Sequence, residues 1–125
     1  GRGSVHVFER DEQGWRRRAK LRSPSSSAQE FGWSVDLAGS RLLVGDPSDD
    51  QHGHAAGRAW LFERDAAGAW SLGRELCPSS TSAAAGGSQF GVALRLGRAR
   101  ALVGAWAENA GAPRSGAAHV FELGD

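Results

Sequence analysis

Apolar residues fall along the chain in two arrangements, at every second position and in short unbroken runs. Phe31, Trp33, Val35 and Leu37 alternate with Gly32, Ser34 and Asp36, and Phe90, Val92, Leu94 and Leu96 do the same around Gly91 and Ala93. Alternation with a period of two predicts strands that bury one face. Leu42-Leu43-Val44 and Ala101-Leu102-Val103 are continuous apolar runs, the pattern of strands covered on both faces. Three segments rich in Val, Phe and Trp predict another kind of strand: GSVHVFE from Gly3, GRAWLFE from Gly57 and GAAHVFE from Gly116. Trp15 to Leu21 predicts a fourth, with Trp15, Ala19 and Leu21 on one side and Arg16, Arg18 and Lys20 on the other. Turn-forming stretches separate these elements at Ala38-Gly39-Ser40, Arg98-Ala99, Asp11 to Gly14 and Asp65 to Gly68. No stretch combines helical periodicity with caps, so the expected fold class is all-β.

The elements recur in a fixed order. FGWSVDLAGSRLLVGD begins at Phe31 and FGVALRLGRARALVGA at Phe90, a spacing of 59, while the GxxxΦFE block (Φ apolar) occurs three times. Trp15 and Leu21 stand six apart, as do Trp70 and Leu76, and Pro24 and Pro78 follow them. A repeating unit of four short strands joined by turns is an antiparallel meander, and such meanders side by side form the blades of a β-propeller. Basic side chains along the fourth strand suit an outer edge, where they discourage strand addition. Small residues on the first strand (Gly32, Ser34, Gly91, Ala93) suit crowding near a central axis.

The block order FG-x-S/A-V/L, then LLVGD-P or ALVGA, then a loop and GxxxΦFE, resembles the FG-GAP repeat of integrin α-subunits and bacterial surface proteins. The resemblance covers nearly the whole chain, and the loop Asp46 to Gly53 is similar to that of bacterial members. It implies a β-propeller, commonly extracellular or at the cell surface, used for adhesion or ligand binding. Residues 1–125 then read as one propeller segment of about two and a quarter repeats. In that reading 3–23 hold strands three and four of a partial blade, 31–77 a complete blade, and 90–123 the first three strands of the next. Some relatives carry a calcium loop between their first two strands. The corresponding residues here, Asp36-Leu37-Ala38-Gly39-Ser40 and Arg95-Leu96-Gly97-Arg98, lack the carboxylates such a cage needs, so neither calcium nor any other cofactor is expected.

Composition narrows the functional classes. The 15 Lys and Arg against 14 Asp and Glu leave a net charge of +1, which gives no reason to expect a polyanionic partner. Arg16-Arg17-Arg18 with Lys20 has no basic counterpart at Trp70 to Glu75, so it reads as a solvated edge and not as a nucleic-acid footprint. Five Trp and five Phe argue for a packed chain, and no apolar run is long enough to insert in a membrane as a helix. Cys77 is the only cysteine, with no neighbouring His or cation to make it a nucleophile. No phosphate loop, nucleophile elbow or zinc spacing occurs, and the chain is expected not to be an enzyme. A chain opening at Gly1, without Met or a signal-like segment, reads as a piece of something longer. Its partial ends would be completed by further blades or by other copies of itself.

In a meander, alternate connections share a side. The long ones, 23–30, 46–56, 78–89 and 105–115, therefore lie together, and long loops on a rigid scaffold are the usual place for recognition. Asp46, Asp49, Asp50, His52 and His54 form the densest polar cluster there, ligand-like in composition but equally suited to turns. Trp106 stands just after the second strand of its repeat, where a ring can stack on a sugar, anchor a peptide or pack on the next loop. Trp15, Trp33, Trp60 and Trp70 read as core residues. His6 and His119 share the repeat position of Trp60, which suggests packing roles. The resulting expectation is a non-catalytic scaffold for a protein or carbohydrate partner, or alternatively an accessory module of a secreted enzyme whose catalytic domain lies outside this chain.

Overall fold

The computed structural model describes residues 2–51, 53–78, 87–108 and 115–124. Among them the chain forms nine strands and no helix: β1 (Val5–Asp11), β2 (Gly14–Leu21), β3 (Ser34–Ala38), β4 (Arg41–Asp46), β5 (Arg58–Arg64), β6 (Trp70–Leu76), β7 (Ala93–Leu96), β8 (Arg100–Ala105) and β9 (Ala117–Glu122). They build three antiparallel sheets in which every strand pairs with its sequence neighbours: β1-β2, β3-β4-β5-β6 and β7-β8-β9.

The sequence repeat recurs as a repeat of register. Arg41 lies opposite Glu63 on the β4–β5 pair, and 59 residues later Arg100 lies opposite Glu122 on β8–β9. Both pairs form ion pairs. A register shift between Val7 and Phe8 recurs between Leu61 and Phe62, the same step of the GxxxΦFE block.

Two apolar clusters fill the spaces between neighbouring sheets. Val7, Leu21, Phe31, Val44, Trp60 and Phe62 occupy the first, and Leu43, Leu61, Leu76, Phe90, Leu96 and Val103 the second. Consecutive residues of β4 therefore enter different clusters, which is why its apolar run is unbroken. Interdigitation of this kind makes the sheet stack the source of stability, at roughly 1.5–3 kcal/mol for each fully buried large apolar side chain.

Three expectations need correction. Phe31-Gly32-Trp33 is not strand but a turn that leads into β3, with the Trp33 N–H donating to the Glu30 carbonyl at 2.9 Å. Trp15 and Trp33 are exposed and belong to neither core, whereas Trp60 is buried and Trp70 half-buried. Leu102, unlike its neighbours Ala101 and Val103, is uncovered on its outward face. The turn follows from Gly32, whose φ of +95° breaks the extended backbone, while at Trp15, Trp33 and Leu102 no further sheet covers the side chain among the described residues.

Candidate functional site

The long connections that precede β3, β5 and β7 are fastened to one another. Gly87 N–H donates to the His54 carbonyl, Gln89 N–H to Ala55, and Phe90 N–H to Ala56 at 2.9 Å, which ties the third sheet's entry to the loop after β4. Ala107 N–H donates to the Ser88 carbonyl and brings in the loop after β8. On the other side of the second sheet, the connection before β3 is held by the carboxylates of the loop after β4.

Asp46, the last residue of β4, is fully buried. Its Oδ2 accepts the Gln29 N–H at 3.0 Å, and its Oδ1 accepts those of Glu30 at 3.0 Å and Ser48 at 3.2 Å. Burial pushes its carboxyl above the ordinary 3.8, the three amide hydrogen bonds pull the other way, and nearby Asp49 adds to the rise. Asp49 is also fully buried. Its Oδ1 accepts the Ser27 hydroxyl at 3.0 Å and the Gln51 N–H at 2.9 Å, while its Oδ2 has no hydrogen-bond partner among the described residues. The guanidinium of Arg58 lies 3.8 Å from Asp49, forks onto Glu75 through Nε and Nη2, and sits 5.1 Å over the Trp60 ring.

Asp50 serves the surface of the same loop. Its Oδ1 accepts the Ala55 N–H at 2.8 Å, the Gln29 side-chain amide donates to its Oδ2, and His54 Nδ1 approaches at 3.6 Å. His54 itself is almost wholly exposed. His52 lies outside the described residues. The polar cluster thus divides: Asp46 and Asp49 point inward to backbone amides, and Asp50 and His54 are left at the surface. Among the described residues no group of three or more His, Cys, Asp or Glu is placed to hold a metal ion.

Trp106 sits in the turn after β8 with its ring exposed and its indole N–H donating to Gln89 Oε1 at 2.6 Å. One edge is anchored while the face stays open. Behind it Glu108 bonds His119 at 2.8 Å, and the His119 ring meets Phe90 edge-on at 5.4 Å. Trp60 meets Phe31 in the same way at 5.5 Å. His119 therefore packs as Trp60 does, whereas His6, expected to pack at the same repeat position, is exposed and faces Ser4 and Arg17 instead.

Reading the sequence did not single out Ser27, Gln29, Arg58 or Gln89. A signal existed for one of them: Gln89 precedes the second F-G as Glu30 precedes the first, and both side chains accept from the loop after the second strand of their repeat, Gln89 from Trp106 and Glu30 from the Ser48 hydroxyl.

Comparison with known proteins places a family on part of this frame. Residues 15–62, from the start of β2 almost to the end of β5, match the family model of the FG-GAP repeat. No curated protein matches the chain.

Proposed function

We propose that the chain is a segment of an FG-GAP β-propeller, with four-stranded meander blades, that acts as a non-catalytic scaffold binding a protein or carbohydrate on its long-connection side. One observation carries the reading: Trp106 holds an open aromatic face on a platform cross-tied from Gln29 through Asp46 and Ala55 to Gln89. A ring fixed at one edge loses little freedom on binding, and flat aromatic faces beside amide and carboxylate groups suit sugar rings and peptide side chains alike. Glu108 and His119 are occupied with each other, and Asp46 and Asp49 with the backbone, which leaves recognition to Trp106, Gln29, Asp50 and His54. Placement outside the cell or on its surface accords with this role.

Glycan and protein arrays probed with the chain test the proposal. A binder whose affinity falls at least about tenfold with Trp106→Ala, the order of loss expected of an aromatic anchor, supports it. Arrays without a binder, or a binder indifferent to both Trp106→Ala and Asp50→Ala, would refute it.

A further inference from the structure

The tight turns lie on the side of the sheets away from the long connections, and a cavity of about 630 Å³ opens among them. The β3–β4 turn with Ser40, the end of β5 with Glu63 and Arg64, and Arg41 and Arg98 form its wall. A volume of that size lies within the about 300–1,000 Å³ usual for small-molecule sites. Its chemistry is polar: among the described residues of the wall Ala38 carries the only apolar side chain, against three guanidinium groups and one carboxylate.

The three guanidinium groups are not equivalent. Arg41 is committed to the fold, since its Nε donates to Glu63 at 3.2 Å and its Nη1 to the carbonyls of Arg98 at 3.3 Å and Gly124 at 3.0 Å. Glu63, the one carboxylate of the wall, is thereby matched. Arg64 donates to Glu9 at 2.8 Å from Nη1, but Glu9 is shared with Arg18 at 3.1 Å. Arg98 is exposed, and among the described residues its side chain has neither a hydrogen bond nor an ion pair. The wall therefore carries uncompensated positive charge.

The repeat supplies an internal control. Arg41 and Glu63 recur 59 residues later as Arg100 opposite Glu122, as expected of a pair that the sheet itself uses. Arg98 has no such precedent, because the residue 59 positions before it is Gly39. Folding the turn does not call for this cation. Its backbone is nevertheless held, through the carbonyl that accepts from Arg41, so the side chain projects from a fixed base.

The geometry points to an anion site between the tight turns, taking the carboxylate or phosphate group of a small polar molecule. Arg98 and Arg64 supply the guanidinium donors, whose planar forks match both groups. The Ser40 hydroxyl adds a neutral donor beside them. Arg41 positions Arg98 and does not itself bind the ligand. The site faces away from Trp106, so it stands or falls independently of the ligand proposed there.

Isothermal titration calorimetry on the 125-residue chain tests it, with sodium phosphate, citrate and galacturonic acid as probes and glucose as the uncharged comparison. At least one anion is expected to bind saturably at a single site, more weakly as sodium chloride is added, and glucose not at all. Arg98→Ala should lower the affinity about tenfold or more, with far-ultraviolet circular dichroism unchanged, and Arg98→Lys should recover only part. Arg16→Ala removes another exposed cation outside the cavity wall and should leave the affinity as it was. Preference for phosphate assigns a phosphate ligand and preference for the carboxylates a carboxylate one, and either upholds the site. Absence of binding by all three anions overturns the inference. So does binding that Arg98→Ala leaves unchanged, or that Arg98→Ala and Arg16→Ala weaken equally.

Discussion

Replacing Gly57 by alanine tests whether neighbouring sheets are held together where their backbones touch. Gly57 opens the second GxxxΦFE block and forms a parallel bridge with Phe90, the residue that opens the second F-G block. Its φ is +84°, and a Cβ built there would lie 2.0 Å from the Phe90 carbonyl oxygen and 2.6 Å from its nitrogen. Real Cβ contacts stay above 3.0 Å, so the bridge must open by at least 1.0 Å (3.0 − 2.0), and both obstructing atoms are backbone. The left-handed conformation alone costs an alanine about 1–2 kcal/mol. Stretching the hydrogen bond from Phe90 to Ala56 adds roughly 0.5–1.5 kcal/mol, and loosening Phe90 within its cluster adds about 1 kcal/mol more. The sum, roughly 2.5–4.5 kcal/mol, is a large part of the about 5–15 kcal/mol that holds a domain folded.

Gly68 gives the control. It sits in the turn between β5 and β6 at φ +90°, and no described atom lies within 4 Å of where an added methyl would stand. Gly68→Ala therefore incurs the conformational cost alone, about 1–2 kcal/mol. Urea unfolding of both variants at one protein concentration, followed by tryptophan fluorescence, measures the difference. Gly57→Ala should be the less stable by roughly 2 kcal/mol. Equal losses for the two would refute the claim that Gly57 is required for close approach and leave only its backbone conformation to explain it.

Three further outcomes follow from the loop side. Asp46 has a folded pKa above its ordinary 3.8, so its contribution is fully present below pH 3.8 and is lost as pH rises through the folded value. The stability of wild type relative to Asp46→Asn should therefore increase as pH is lowered toward 3.8 in a urea series, and a decrease would contradict desolvation as the dominant influence. Arg58→Met removes the cation beside buried Asp49 and should cost roughly 3 kcal/mol by thermal or urea unfolding, with Arg58→Lys recovering only part because it cannot form the fork to Glu75. Burial, then the charge of Glu75, raises the Cys77 thiol above its usual range against the pull of Arg58, so iodoacetamide should label the folded chain near neutral pH more slowly than the urea-unfolded chain.

Strand positions were legible because period-two alternation is a property of the local chain. Burial was not, because it depends on what lies against each face. Val35 and Leu37 alternate as Leu94 and Leu96 do, but only the later pair has two strands of another sheet above it. Phe31 and Trp33 keep the parity of β3 while belonging to a turn, since Gly32 at φ +95° breaks the extended backbone between them without disturbing the spacing. The loop cluster misleads for a related reason. Sequence shows that Asp46, Asp49 and Asp50 are close along the chain, but not that two of the three carboxylates turn inward, Asp46 to amides 16 and 17 residues earlier and Asp49 to the Ser27 hydroxyl 22 residues earlier.

The two sequence signatures of the repeat, the F-G pair and the glycine of GxxxΦFE, act as one device. Phe31 N–H donates to the Arg2 carbonyl and Phe90 N–H to the Ala56 carbonyl, so each F-G is latched to the residue just before the preceding block's glycine. Gly3 and Gly57 follow those carbonyls, and at both a Cβ would fall 2.0 Å from the oxygen of the latched phenylalanine. The phenylalanine ring, meanwhile, packs on its own sheet: Phe31 against Trp60 and Phe62, Phe90 against His119 and Phe121. One residue thus bonds backward through its backbone and forward through its side chain, and a sheet gains its neighbour and its own core at the same point. Neighbour-by-neighbour coupling of this sort lets stability grow with each sheet added. It also explains why the motif residues recur at every junction while the residues on the loops between them differ.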